Sequence, residues 1–166
     1  MRASLHLYYG DGKGKTTSAV GLAVRAQGAK LRVAFIQFLK DGSSSEIRQL
    51  KQLGITCFAF GDGKFYRKRE IPNNVRESCR EALAKAAKLA DSYDLIVLDE
   101  ALTALGLGAI SQEEMLELVN LAKCELVLTG REAPEQLIAR ADYVTFMKKI
   151  KHPYDTGKQA RYGIEF

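Results

Sequence analysis

The stretch "YYGDGKGKTT" at residues 8–17 gathers three glycines, two lysines and two threonines directly behind an apolar run. Glycines at this density let successive backbone N–H groups turn toward one point, and a helix opening at the same place adds its positive end. That combination suits an anion, above all phosphate. Lys15 stands where an ammonium lies between phosphates, Thr16 where a hydroxyl binds magnesium, and Lys13 adds charge inside the loop. The usual phosphate-loop pattern has a glycine five places before the glycine of Gly-Lys-Thr. Counting back from Gly14 reaches Tyr9, so the first glycine, Gly10, arrives one place late. The expected cradle is Gly10, Asp11, Gly12, Lys13, Gly14, Lys15, Thr16 and Thr17. A glycine-rich turn that binds nothing is the bland alternative, and it explains the lysines and threonines less well.

A nucleotide site also needs an acid at the end of another buried strand. "LIVLDE" supplies it, with four apolar residues leading to Asp99 and Glu100. A carboxylate there can hold Mg²⁺ or Mn²⁺ directly or through water, with its neighbour as base or second ligand; alone, such a strand end is commonly just solvated. "LTGREAP" at residues 128–134 marks a third strand end, where Arg131 either forks onto phosphate oxygens or pairs with Glu132 or Glu135. By helical period Arg25 reads as a solvated charge. His6 and His152 lack the partners of a triad or a metal cluster, and neither is assigned a catalytic role.

These residues have to be positioned by a scaffold, and the pattern of the chain describes one. Short β-rich runs at 5–9, 31–38, 55–60, 95–99, 125–129 and 143–147 alternate with helical patterns at 15–28, 44–53, 75–91, 112–123 and 134–141. The alternation predicts an α/β fold: a mainly parallel six-stranded sheet with helices on both faces and ligands beyond the carboxyl ends of the strands. Residues 1–166 read as a single nucleotide-binding domain, with 148–166 a basic C-terminal tail.

The net charge is +5, of which the tail carries +3, and a second cluster, "KFYRKR", lies at 64–69. Two local clusters suit an anionic small ligand as well as nucleic acid. Cys57, Cys79 and Cys124 are odd in number and widely spaced, which suggests buried thiols and no disulfide or zinc site. No apolar run reaches bilayer-spanning length and the first residues lack the form of a signal peptide, so a cytoplasmic protein without a membrane partner is expected. The tail is rich in turn residues, yet Tyr154, Tyr162, Ile164 and Phe166 give it something to pack with, and it is expected to lie ordered across the sheet edge or the site.

Taken together, "YGDGKGKTTSAVGLAVRAQG", "IQFLKDG", "YDLIVLDE", "LVLTGREAP" and "KHPYDTGKQARYGIEF" resemble, in order and spacing and nearly end to end, the corrinoid adenosyltransferases that act on cob(I)yrinic acid a,c-diamide and cob(I)alamin. The tail is the most specific of these segments, since general phosphate-loop ATPases lack it. The family's loop also begins one place later, which accounts for the displaced glycine. The resemblance implies a recombinase-like P-loop NTPase core, ATP and a reduced corrinoid as substrates, Mg²⁺ or Mn²⁺, a homodimer, and a flavoprotein as the class of reductant. It implies transfer of the 5′-deoxyadenosyl group of ATP to cobalt(I), with triphosphate leaving whole. Gly10 to Thr17 would hold the triphosphate in reversed orientation, with Lys15 stabilising the leaving group. Thr16 and Glu100 would bind magnesium, with Asp99 beside them, and Arg25 matches an arginine that touches the nucleotide. Relatives carry Gly-x-Gly-Phe-x-Trp near the corrinoid; this chain reads "GDGKFY", which makes Lys64, Phe65 and Tyr66 the corrinoid candidates, with Phe65 equally suited to a core position. Longer relatives have an additional amino-terminal helix over the site, whereas here the first strand begins within a few residues of Met1.

Other classes make different demands. A P-loop ATPase or kinase would use Glu100 at the γ-phosphate and release ADP. A nucleic-acid-associated ATPase would use the two basic clusters. A regulator with the same fold would bind ATP without turnover. A cobalt nucleophile needs no base or nucleophile from the protein, which agrees with the absence of an assignable histidine or serine.

Overall fold

The computed structural model describes residues 3–68 and 70–165. Arg69 of the basic cluster, Phe166 and the side chain of Tyr154 lie outside the described part. The elements run β1 (Leu5–Tyr9), α1 (Lys15–Gly28), β2 (Val33–Phe38), α2 (Ser45–Gln52), β3 (Thr56–Phe60), α3 (Asn73–Leu89), β4 (Leu95–Asp99), α4 (Ala101–Leu107), α5 (Gln112–Leu121), β5 (Glu125–Gly130), α6 (Glu135–Arg140) and β6 (Tyr143–Phe146), followed by a 3₁₀ turn at Pro153–Thr156. The six strands form one sheet in the order β3-β2-β4-β5-β1-β6, and every pairing is parallel. All six therefore end on the same edge.

The pleat sorts the core. Val33, Phe35, Leu95, Val97 and Val127 point to the face covered by α1 and α2, where Ala19, Ala23 and Ala26 form the buried stripe of α1. Ala34, Ile36, Phe38, Ile96, Leu98, Leu126 and Leu128 point to the other face, under α3, α4, α5 and α6. Burial on both faces explains the continuous apolar reading of β2 and β4 up to Gln37 and Asp99. The same period of two has a functional consequence. One step past Phe35, Val97 and Val127 on the α1 side come Gln37, Asp99 and Thr129, the fully buried polar side chains among the described residues.

Some boundaries differ from the sequence expectation. β2 begins at Val33, because Leu31 is exposed, and α3 begins two residues earlier than its apolar spacing suggests. The helix α4 was not expected: "ALTALGL" buries Ala101, Leu102 and Ala104 and has no polar face from which a helical period could be read. The tail contains a short 3₁₀ turn. It reaches the loop after β1 through polar contacts to Asp11 and Lys13, while Tyr162 and Ile164 are largely exposed.

Glycine is required where backbones close on each other. A Cβ on Gly61 would lie 2.3 Å from the carbonyl carbon of Leu39, whereas one on Gly106 in α4 meets nothing within 4 Å. Gly61→Ala is expected to lose about 1–3 kcal/mol by forcing the two loops apart. Gly106→Ala is expected to be neutral or to gain about 0.5–1 kcal/mol from helix propensity. Urea unfolding midpoints of the two variants test the contrast.

Candidate active site

The loop after β1 is shaped by contacts on both sides. The Gly10 N–H donates to the carbonyls of Gly130 and Arg131, and the Gly12 N–H donates to Met147 O at 2.7 Å. A Cβ on Gly10 or Gly12 would fall 2.5 or 2.7 Å from that Met147 oxygen, so both positions must be glycine for the loop to lie on the chain leaving β6. Gly10 and Gly14 have φ of 124° and 117°, which turns the backbone into the start of α1. No side chain caps α1, and its first-turn N–H groups, with the positive end of the helix, point toward the mouth of the loop.

Lys15 folds back and donates to Gly12 O at 2.6 Å. Burial is the main force pushing its pKa below the ordinary lysine value, and the charge of Arg131 adds to it against the opposing pull of Glu100. A phosphate group beside Lys15 would offset both its burial and the repulsion from Arg131. Arg131 is exposed at the end of β5, near enough to act on Lys15 electrostatically. Arg25 lies ten residues further along α1, about 15 Å of helix rise from Lys15, exposed and within electrostatic reach of Tyr8.

Asp99 organises the rest. Its side chain has no exposed surface. Oδ1 accepts from the hydroxyls of Thr16 and Thr129, each at 2.8 Å, and Oδ2 accepts from Lys40 Nζ at 2.8 Å and from Gln37 Nε2 at 3.4 Å. Thr129 in turn accepts the backbone N–H of Glu100 at 2.9 Å. Glu100 is half-buried, with φ of 61°, and accepts a short hydrogen bond from the Thr103 hydroxyl. Because Thr16 gives its proton to Asp99, its lone pairs remain for a cation at the loop. Thr16, Glu100 and Asp99 are hard oxygen donors, the kind that fits Mg²⁺ or Mn²⁺ completed by phosphate oxygens and water.

Lys40 was not among the residues singled out from the sequence. A lone lysine in a loop carries no signal among 25 Lys and Arg. The available hint was Gln37, a polar residue within the buried strand "VAFIQF" three positions earlier. Burial is the largest influence and works against the Lys40 charge, but the charge and hydrogen bond of Asp99, together with the charges of Glu100 and Glu46, outweigh it and raise its pKa above the usual lysine value.

The corrinoid candidates lie on the loop after β3, at the same edge of the sheet. Phe65 is 99% exposed, which removes its core assignment. The Tyr66 hydroxyl donates to Asp62 at 2.7 Å, and Lys64 pairs with the same carboxylate at 3.0 Å. This loop rests on the Lys40 segment through Gly61 and through the Gly63 N–H, which donates to Leu39 O. From the other side the tail reaches the phosphate loop: the Lys149 N–H donates to Asp11 at 2.9 Å and Lys13 pairs with Glu165 at 3.0 Å.

A concavity of about 570 Å³ lined by Gln27, Lys30, Arg32, Thr56 and Tyr93 lies at the amino ends of β2 and β3, away from the loop. Its Arg32 is already bound to Asp94, and it offers no glycine-rich cradle. His6 is paired with Glu125 at 2.7 Å and stacked on Tyr143 at the amino end of β1. Cys79 and Cys124 are buried and Cys57 half-buried, and burial pushes each thiol up to about 11, so these are inert packing groups at neutral pH.

Comparison with known proteins decides which phosphate chemistry this arrangement belongs to. Residues 1–166 match the family of ATP:corrinoid adenosyltransferases, BtuR/CobO/CobP. The chain belongs to that family. A corrinoid adenosyltransferase of a Sinorhizobium species is 33% identical to it over 95% of this chain and 77% of its own length. One from Pseudomonas aeruginosa is 31% identical over 99% of this chain and 84% of its own, and one from Escherichia coli K12 is 29% identical over 99% and 86%. The family match includes both the loop at 10–17 and the tail that crosses it.

Replacing Lys15 by Ala removes a half-buried ammonium from a cradle whose other groups hold their places through backbone contacts. ATP affinity is expected to fall about 10- to 100-fold, the range of a lost charge-assisted hydrogen bond. The unfolding midpoint should barely change. Titration calorimetry beside thermal unfolding measures both.

Proposed function

We infer that the protein is an ATP:corrinoid adenosyltransferase that moves the 5′-deoxyadenosyl group of ATP to cobalt(I) of a reduced corrinoid and releases triphosphate. The observation that carries this reading is the family match over residues 1–166. The site supports it: a phosphate cradle, an ordered hydroxyl and two carboxylates meet at one edge of the sheet. The γ-phosphate and nucleic-acid alternatives have no comparable support.

In this reading the cobalt is the nucleophile, so the chain has to bind, orient and neutralise. The bond formed joins cobalt to C5′, the bond broken joins C5′ to the α-phosphate oxygen, and the bonding pair leaves with the triphosphate. Gly10 to Thr17 hold the triphosphate through backbone N–H groups, and Lys15 leaves Gly12 O to meet the charge that grows on the leaving oxygen. Thr16 and Glu100, with Asp99 behind them, hold Mg²⁺ or Mn²⁺, which supplies further neutralisation of the leaving group. Arg131 and Arg25 bind the nucleotide outside the loop, and the loop of Lys64, Phe65 and Tyr66 bears on the corrinoid. Fixing C5′ in line with the cobalt is the other contribution, since orientation alone is worth several orders of magnitude in rate. The protein acts as one nucleotide-binding domain in a cytoplasmic homodimer, with a flavoprotein supplying the electrons that form cobalt(I). No helix among the described residues is long and apolar enough to cross a membrane.

ATP incubated with a chemically reduced corrinoid should give a light-sensitive cobalt–carbon product and intact triphosphate, with little nucleotide consumed when corrinoid is left out. ADP and phosphate formed at a rate indifferent to corrinoid would instead mean chemistry at the γ-phosphate. Chromatography of the spent nucleotide separates the two. In the same assay EDTA should abolish turnover and added Mg²⁺ or Mn²⁺ should restore it.

A further inference from the structure

The Asp99 carboxylate and the Lys40 ammonium form an ion pair that the reading above does not use. Asp99 is fully buried, and Oδ1 is occupied by two hydroxyl donors, Thr16 and Thr129. Oδ2 is the oxygen on which a cation would have to land, and Lys40 Nζ already sits on it at 2.8 Å.

The placement of Lys40 is built into the fold. Leu39 adopts a φ of 63°, a conformation that costs a non-glycine residue roughly 1 kcal/mol or more and persists only where its surroundings enforce it. They do so here. The Leu39 N–H donates to Phe60 O, its carbonyl accepts from the Gly63 N–H, and Gly61 lies against its backbone. This turn carries Lys40 back over the ends of β2 and β4. There Glu46 lies 4.0 Å from its ammonium, while Gln37, anchored on Ser44 and Glu46, shares the same carboxylate oxygen. A surface ion pair needs no strained turn to make it. Glu100 presents the contrast: it is half-buried and borders the loop that carries Lys15.

We propose that Lys40 is a positioning residue that keeps Asp99 out of the inner coordination shell of the divalent cation. By occupying Oδ2, it leaves Asp99 to orient Thr16 and Thr129 through Oδ1, and it makes Glu100 the carboxylate that meets the cation. Lys40 acts through Asp99 and Thr16 and touches no substrate. The inference rests on the metal–triphosphate site of the preceding section, but its test measures cation binding with ATP alone and so stands apart from whether adenosyl transfer occurs.

The test compares the parent protein with Lys40→Met, Lys40→Arg and the double variant Lys40→Met/Asp99→Asn. Mn²⁺ is titrated into each in the presence of ATP without corrinoid, and free Mn²⁺ is read by electron paramagnetic resonance. Lys40→Met uncovers a buried carboxylate oxygen, so Mn²⁺ should bind about tenfold more tightly, while kcat in the full reaction falls by about tenfold or more as the cation is drawn from Thr16 and Glu100 onto Oδ2 of Asp99. Lys40→Arg, which keeps a cation on Oδ2, should stay within about threefold of the parent in both readouts. The double variant removes both charges together and should fold even if Lys40→Met does not; its Mn²⁺ affinity should return to within about threefold of the parent, because no uncovered carboxylate remains. Unchanged or weaker Mn²⁺ binding in folded Lys40→Met overturns the proposal, as does a double variant that binds Mn²⁺ about tenfold more tightly than the parent. A purely structural ion pair would lower the unfolding midpoint of Lys40→Met and leave the cation affinity of the folded protein where it was.

Discussion

A carboxylate with no solvent exposure must be compensated by its neighbours, and in this protein that requirement falls on Asp99. Leaving such a group unpaired costs several kcal/mol, a sizeable part of the stability of a domain this size. Its partners come from four places in the chain: Thr16 on α1, Gln37 at the end of β2, Lys40 in the turn beyond it, and Thr129 on β5. Satisfying one carboxylate therefore aligns the start of the phosphate helix with three strand ends. The register of the parallel sheet makes this possible, since Gln37 is the direct partner of Asp99 across β2 and β4 and Leu98 pairs with Leu128, one step before Thr129.

The strain in the backbone is found in the same place. Of the three non-glycine residues with positive φ among the described ones, Leu39 and Glu100 stand just past the carboxyl ends of β2 and β4. Each turn redirects the chain at a strand end, toward Asp99 in one case and beneath Thr129 in the other. This edge thus combines strand ends with turns that hold their shape through neighbouring contacts, the preorganised setting that the proposed reaction requires.

The sequence displayed those features whose cause is local. The glycines and lysines of residues 10–17, the apolar run leading into Asp99 and Glu100, and the alternation of strand and helix each state their reason within a few residues. The tail segment that set the resemblance reaches the loop after β1 through the pairing of Glu165 with Lys13. What could not be read was made by contacts between distant positions. Lys40 meets Asp99 across 59 residues and Asp11 meets Lys149 across 138, and neither lysine differs in kind from its solvated fellows. The helix α4 was hidden for another reason. Its buried residues are small or apolar, and its remaining positions include a glycine, so the helical period has no polar stripe to display it.

The contact between the phosphate loop and the chain beyond β6 has a consequence for biosynthesis. Gly10 and Gly12 take their places against Met147, whose carbonyl accepts the Gly12 N–H and whose own N–H donates to Tyr9 O. On the ribosome the glycine loop emerges well before the surface that shapes it, which is made more than a hundred residues later. Until then it has only a helix start and one side of its setting. Such long-range closure is slow compared with local helix formation. A nascent chain would accordingly display a nearly complete sheet and an unshaped glycine loop, which takes its folded form well after its own translation.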